Sequence, residues 1–191
     1  MLFRKSLAER VVESPWTTVA YGALAGALAT IAMEPVTEFL YAHEDDQHKK
    51  REEELRKQYS PLATLAARLI ELVGAEPTEE RKQRLATVLH WAYGMGWGVL
   101  YAALRRRLPV LRKGLGLPFG VLFALIGDEV MTQVLGLTAP PKAWPIDAHV
   151  RGLVGHVTYA AAAEGAFRVL EKATALAPNR GKLRFRPSLG Y

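Results

Sequence analysis

The chain has 191 residues, 50% of them hydrophobic and 23% charged, with no cysteine and a formal net charge of +6. Its mean hydropathy is +0.02. These values exclude a disordered polar chain, a collagen-like repeat and a disulfide-stapled secreted miniprotein. They leave a membrane protein open, because an average hides where the charges fall.

In chain order, the charges fall between long apolar runs. Residues 14–33 carry none, and Leu85 to Leu104 include only His90. Gly114 to Gly127 is uncharged, the run resumes after Asp128-Glu129, and Gly152 to Ala163 is interrupted only by His156. A bilayer span needs about 20 mostly apolar residues at about 1.5 Å of rise each. The pattern therefore predicts spans at about 16–41, 85–104, 114–137 and 146–170.

Ser14-Pro15 marks the start of the first helix, with Trp16 and Tyr41 as interfacial anchors and Pro35 as a kink. Residues 44–84 form a helical insertion. Its Glu44 to Lys57 part reads as a charged continuation of the first helix, and Pro61 breaks it. Residues 62–73 then read as an amphipathic helix with Leu62, Leu65, Leu69 and Val73 on one face. Thr78 caps the second long helix, which leaves the apolar region at Arg105-Arg106-Arg107, a stop and topology signal. Thr138 to Pro145 is a rigid loop. Residues 177–191 form a basic, flexible tail suited to anionic lipid, with no nucleic acid expected.

The predicted fold class is all-α: a polytopic four-transmembrane-helix bundle with an amphipathic helical insertion, one domain over 1–176 followed by the tail. A soluble bundle is the contrasting reading, but its helices would show a polar stripe. Val19–Met33 and Trp91–Leu104 show none. Gly22/Gly26, Gly94/Gly98 and Gly116/Gly120 recur at helical spacing, where they let helix backbones approach in lipid. Such faces suit a membrane-protein partner or a second copy of the chain.

Orientation follows from Lys/Arg counts. The N-terminal segment, the second loop and the C-terminal region hold fourteen together, against eleven in the other two loops. The short, densely basic second loop places both termini in the cytoplasm. The polar lead before a long first span fits an uncleaved anchor.

An offset of 94 overlays Gly22 on Gly116, Gly26 on Gly120 and Glu34 on Asp128. An offset of 66 overlays His90 on His156 and Tyr93 on Tyr159. Each half thus reads as an acid-bearing helix followed by His-x-x-Tyr. By depth, Glu34, Glu38, His90, Asp128, Glu129 and His156 fall in one slab in the outer half of the membrane, with His149 two turns before His156. Ionisable residues in spans usually face inward and pair. Three chemistries fit: proton or ion handling, a structural polar network in an accessory subunit, or a divalent metal held by Glu34, His90, Asp128 and His156 in a metal-binding protein or metalloenzyme. No metal, phosphate-loop or nucleophile-elbow motif singles one out.

The run Leu135-Gly136-Leu137-Thr138-Ala139-Pro140-Pro141, followed by Pro145 and Gly155-His156, resembles the YagU-like family of bacterial inner-membrane proteins. Gly22 to Glu34 and His90 to Tyr101 are similar to that family's earlier spans. The resemblance covers the four spans, not the insertion or tail. It implies a bacterial inner-membrane location rather than an activity.

Overall fold

A computed structural model describes residues 15–176, and among these every regular element is helical. The polar lead and the basic tail lie outside the described residues.

Helix α1 spans Pro15–Ala42 and runs through Pro35 without ending there. Its last turn is closed by His43, whose Nδ1 donates to the Phe39 carbonyl at 2.8 Å. The charged segment then does not prolong α1. Asp45 accepts from the backbone N–H of Gln47 at 2.8 Å and His48 at 3.3 Å, and so starts a separate helix, α2, over Asp46–Gln58. Helix α3 covers Pro61–Leu72. Its buried residues are Ala66 and Ile70, whereas Val73 is 78% exposed, so the apolar face is rotated from the one predicted. Small Ala66 fits where α3 packs on the next helix.

Helix α4, Glu79–Arg107, begins under Thr78 as expected. A tight turn at Pro109–Arg112 and a left-handed stretch through Gly114 and Gly116 reverse the chain. Helix α5 then runs Leu117–Val134 and contains a π-helical stretch, Ala124–Met131. Helix α6 spans Ile146–Leu176.

Helix α1 lies against both α4 and α6, and α5 against α6. Small residues make the first contact possible. A Cβ on Gly22 would stand 2.6 Å from the Val99 Cα, and one on Gly26 would stand 2.6 Å from the Gly94 carbonyl oxygen. The glycine faces of α1 and α4 therefore meet inside the chain. Gly120 repeats the arrangement between α5 and α6, where a Cβ would lie 2.7 Å from the Val157 Cα. In contrast, the backbones of α4 and α5 stay apart and meet through aromatic rings. Trp97 stacks on Phe123 with centroids 4.2 Å apart, and Tyr101 lies 4.5 Å from Phe119.

Two of the four long helices, α1 and α5, are long and apolar enough to cross a membrane. Much of their surface faces outward: Leu24, Leu28, Ile31, Leu122, Leu125 and Ile126 are exposed. Helices α4 and α6 are longer still, but carry Arg105 and the Arg151, Glu164 and Arg168 set inside their ends.

Candidate functional site: a cavity beneath the insertion

A cavity of about 770 Å³ lies at the end of the molecule where α1 stops and α6 starts, beneath α2 and α3. It occupies the space left where α4 and α5 separate above Trp97 and Phe123.

Local structure on α5 supplies its acids. A π turn is wider than an α turn and often marks functional positions. It lessens the angular step between neighbours, and both Asp128 and Glu129 line the cavity. The helix ends in a Schellman motif. Gly136, at φ +60°, donates to the Gln133 carbonyl at 2.9 Å, and Leu137 donates to Thr132 at 2.8 Å. Arg68 of α3 takes two further carbonyls, Leu135 at 2.6 Å and Gly136 at 2.9 Å. The Ala139 carbonyl accepts from Gln133 Nε2 at 2.6 Å and from Trp144 Nε1 at 3.2 Å. The Gly-Leu-Thr-Ala-Pro-Pro run is thus a helix cap and a braced turn. Trp144 is a packing residue.

Helix α6 supplies the histidines. His149 and His156 sit two turns apart on one face. The His149 Nδ1 lies 2.5 Å from Glu129 Oε1, and its Nε2 lies 3.0 Å from the Pro141 carbonyl oxygen. Both ring nitrogens therefore face acceptors. A neutral imidazole has one N–H, so the pair must hold one proton more than a neutral histidine beside a carboxylate. His156 is buried, and its Nδ1 donates to the Gly152 carbonyl at 2.7 Å. The same nitrogen is 3.5 Å from Asp128 Oδ2. The Phe123 ring lies edge-on to His156, with centroids 4.1 Å apart. Beyond it, Tyr159 donates to the Gly94 carbonyl at 2.5 Å and ties α6 to α4.

Of the residues singled out from sequence, Asp128, Glu129 and His156 come together here. His90 reaches the cavity rim and is exposed. Glu34 and Glu38 lie on the exposed side of α1, while Thr30, Met33 and Thr37 of that helix line the cavity. Among the described residues, no three His, Cys, Asp or Glu side chains are grouped so as to hold a metal ion.

Sequence reasoning passed over the arginine network above the cavity. Arg151 is buried and donates to both oxygens of Glu52, at 2.5 and 2.7 Å, and to Glu44. Its guanidinium sits 4.9 Å from the Tyr41 ring centroid. Arg56 donates to Glu52 at 2.7 Å, and His48 meets Asp147 at 2.8 Å. These bonds fold α2 back over α6.

A second network lies at the opposite end. Glu164, fully enclosed, accepts from Tyr101 at 2.7 Å, Arg105 at 3.0 Å and Arg168 at 3.0 Å. Arg105 also donates to Glu171 at 2.6 Å and lies 4.6 Å from the Phe167 ring centroid. Arg105, expected from sequence to be part of a basic stop, is therefore a buried structural residue. Rings of Phe119, Phe123 and Trp97 stand between this network and the cavity.

The geometry can be set beside known proteins. Residues 75–165 match the family model described as Protein of unknown function (DUF1440). The matched region holds Asp128, Glu129, His149 and His156, but not the α2–α3 insertion. No curated protein and no solved structure matches the chain.

Proposed function

We propose that this chain is a YagU-like bacterial inner-membrane protein. On this reading it crosses the bilayer four times with both termini cytoplasmic, and binds and releases protons at the histidine–carboxylate pairs of its cavity. The observation that carries the reading is His149, held between the Glu129 carboxylate at 2.5 Å and the Pro141 carbonyl at 3.0 Å. Imidazole and carboxylate exchange protons near neutral pH, and two such groups in contact titrate as a pair. Loss of the shared proton would set a ring lone pair against the Glu129 carboxylate or the Pro141 carbonyl, loosening α6 from α5 beside the cavity. His156 and Asp128 form the second pair, one layer deeper. Below them the Trp97, Phe119 and Phe123 rings pack with Tyr93, Tyr101 and Tyr159.

Four membrane crossings fit this arrangement. Helices α1 and α5 are apolar apart from Glu34, Glu38, Asp128 and Glu129, and the charges of α4 and α6 lie near their ends or in ion pairs. The test is a proton-uptake titration of purified protein in lipid nanodiscs between pH 5 and 8. Wild type should take up roughly one to two protons per chain more than the His149→Ala/His156→Ala double variant. Superimposable curves from two folded samples would overturn the reading.

A further inference from the structure

We infer that the cavity binds a lipophilic organic monocation, with Asp128 as its counter-ion. The inference deepens the reading just given, on which it rests, by naming the ligand class of the same site.

Charge accounting around the cavity leads to it. Arg56 and Arg151 are balanced by Glu52 and Glu44, to which they are bonded. Glu129 and His149 share a proton, which makes that pair neutral or internally balanced. His156 directs its Nδ1 proton to the Gly152 carbonyl, and Asp128 Oδ2 stands 3.5 Å away. No described residue donates a hydrogen bond to the Asp128 carboxylate. Its side chain is 44% accessible and lines the cavity. While His156 is neutral, one negative charge therefore remains without a hydrogen-bond donor in a chamber walled by Met33, Leu65, Tyr93, Phe123 and Trp144.

Such walls select the ligand. A bare metal ion needs several oxygen or nitrogen ligands, and no suitable group of three exists among the described residues. An anion would be repelled by Asp128, and a neutral lipophile would strand a carboxylate among apolar groups. An organic cation with an apolar body satisfies both the charge and the walls, and aromatic faces add cation–π attraction. The volume of about 770 Å³ is that of a pocket for a drug-sized molecule. Exposed Leu125 on α5 and His90 on α4 both border the cavity, so its mouth opens between these two helices beside their apolar outer surfaces.

The probe is tetraphenylphosphonium, with tetraphenylborate as an ion of the same shape and opposite charge. Equilibrium dialysis against purified protein in detergent, corrected for empty micelles, should show saturable phosphonium binding near one per chain. Tetraphenylborate should bind at least about tenfold more weakly, as should phosphonium to folded Asp128→Asn, while Asp128→Glu retains binding. Absence of phosphonium binding, equal binding of the two ions, or full affinity in Asp128→Asn would overturn the inference. The proton-uptake titration uses ligand-free protein, so failure here with intact uptake removes the ligand assignment alone. The reverse pattern removes the proton reading alone.

Discussion

Glu164 shows what an enclosed charge requires. Its carboxylate has no exposure, and Tyr101, Arg105 and Arg168 supply hydrogen bonds that replace lost hydration. Removing one member of a buried ion network strands the others, typically at a cost of about 3–5 kcal/mol. Glu164→Ala should therefore lower stability by about that amount, with Glu164→Gln costing less because it keeps the side-chain volume and one acceptor. Thermal unfolding in detergent reads the difference, and an unchanged transition for Glu164→Ala would refute this account. At this scale, the position of each acid and histidine along its helix was legible in the sequence and azimuth was not. Counting residues along the spans placed the acids and histidines in one slab, but could not say which way each side chain turns. The small-residue stripe Gly22, Ala25, Gly26, Ala29 fixes the inward face of α1. Its continuation through Met33 and Thr37 puts Glu34 and Glu38 outside. His149 was visible at one heptad from His156, yet its significance needed the Pro141 carbonyl, which only the folded loop brings near.

Among the helices, glycine does two opposite things. Gly26 is a point of close approach of α1 to α4, whereas a Cβ on Gly96 would meet nothing within 4 Å. The same substitution should then have opposite signs. Gly26→Ala forces two backbones apart and should cost roughly 1–3 kcal/mol. Gly96→Ala removes backbone freedom from the unfolded chain and should stabilise by up to about 1 kcal/mol. Paired melting curves check this, and equal shifts would show that propensity rather than packing sets the response. The glycine spacing was readable from the sequence, but not that both faces are used within one chain. The break between α1 and α2 was also readable, since Asp45 is a good cap two residues before Gln47. Helical composition over residues 46–58 masked it, because a local pattern cannot show that Arg151, a hundred residues on, draws α2 back.

In the molecule as a whole, the insertion is held to the helices by groups that titrate in opposite directions. The hydrogen bond to Asp147 raises the His48 pKa above its ordinary 6.5, against the lesser effect of burial. Burial pushes Glu52 upward, but the hydrogen bonds and charges of Arg151 and Arg56 together outweigh it and hold Glu52 below its ordinary 4.5. A raised histidine contributes fully below its unfolded value and is lost as pH rises through the folded one. A depressed carboxylate contributes fully above its unfolded value and is lost as pH falls through the folded one. Docking of α2 should therefore be strongest between about pH 4.5 and 6.5. Hydrogen exchange over α2, corrected for intrinsic rates, should show protection falling on both sides of that window. His48→Ala should flatten the alkaline side, and protection independent of pH would count against the ion pairs as fasteners. The all-helical architecture was legible from the length of the uncharged runs and the caps and prolines that bound them. The cavity was not, because it arises from how the two helix pairs meet: α1 touches α6, while α4 and α5 stay apart.

Helix α6 carries Arg151 near one end and Glu164 about 20 Å further along, and each completes a network begun by earlier segments. During synthesis, Glu44, Glu52 and Arg105 leave the ribosome before either partner exists. Until α6 emerges, those charges must stay hydrated. The order of translation thus makes α6 the keystone that locks both ends of the protein at once.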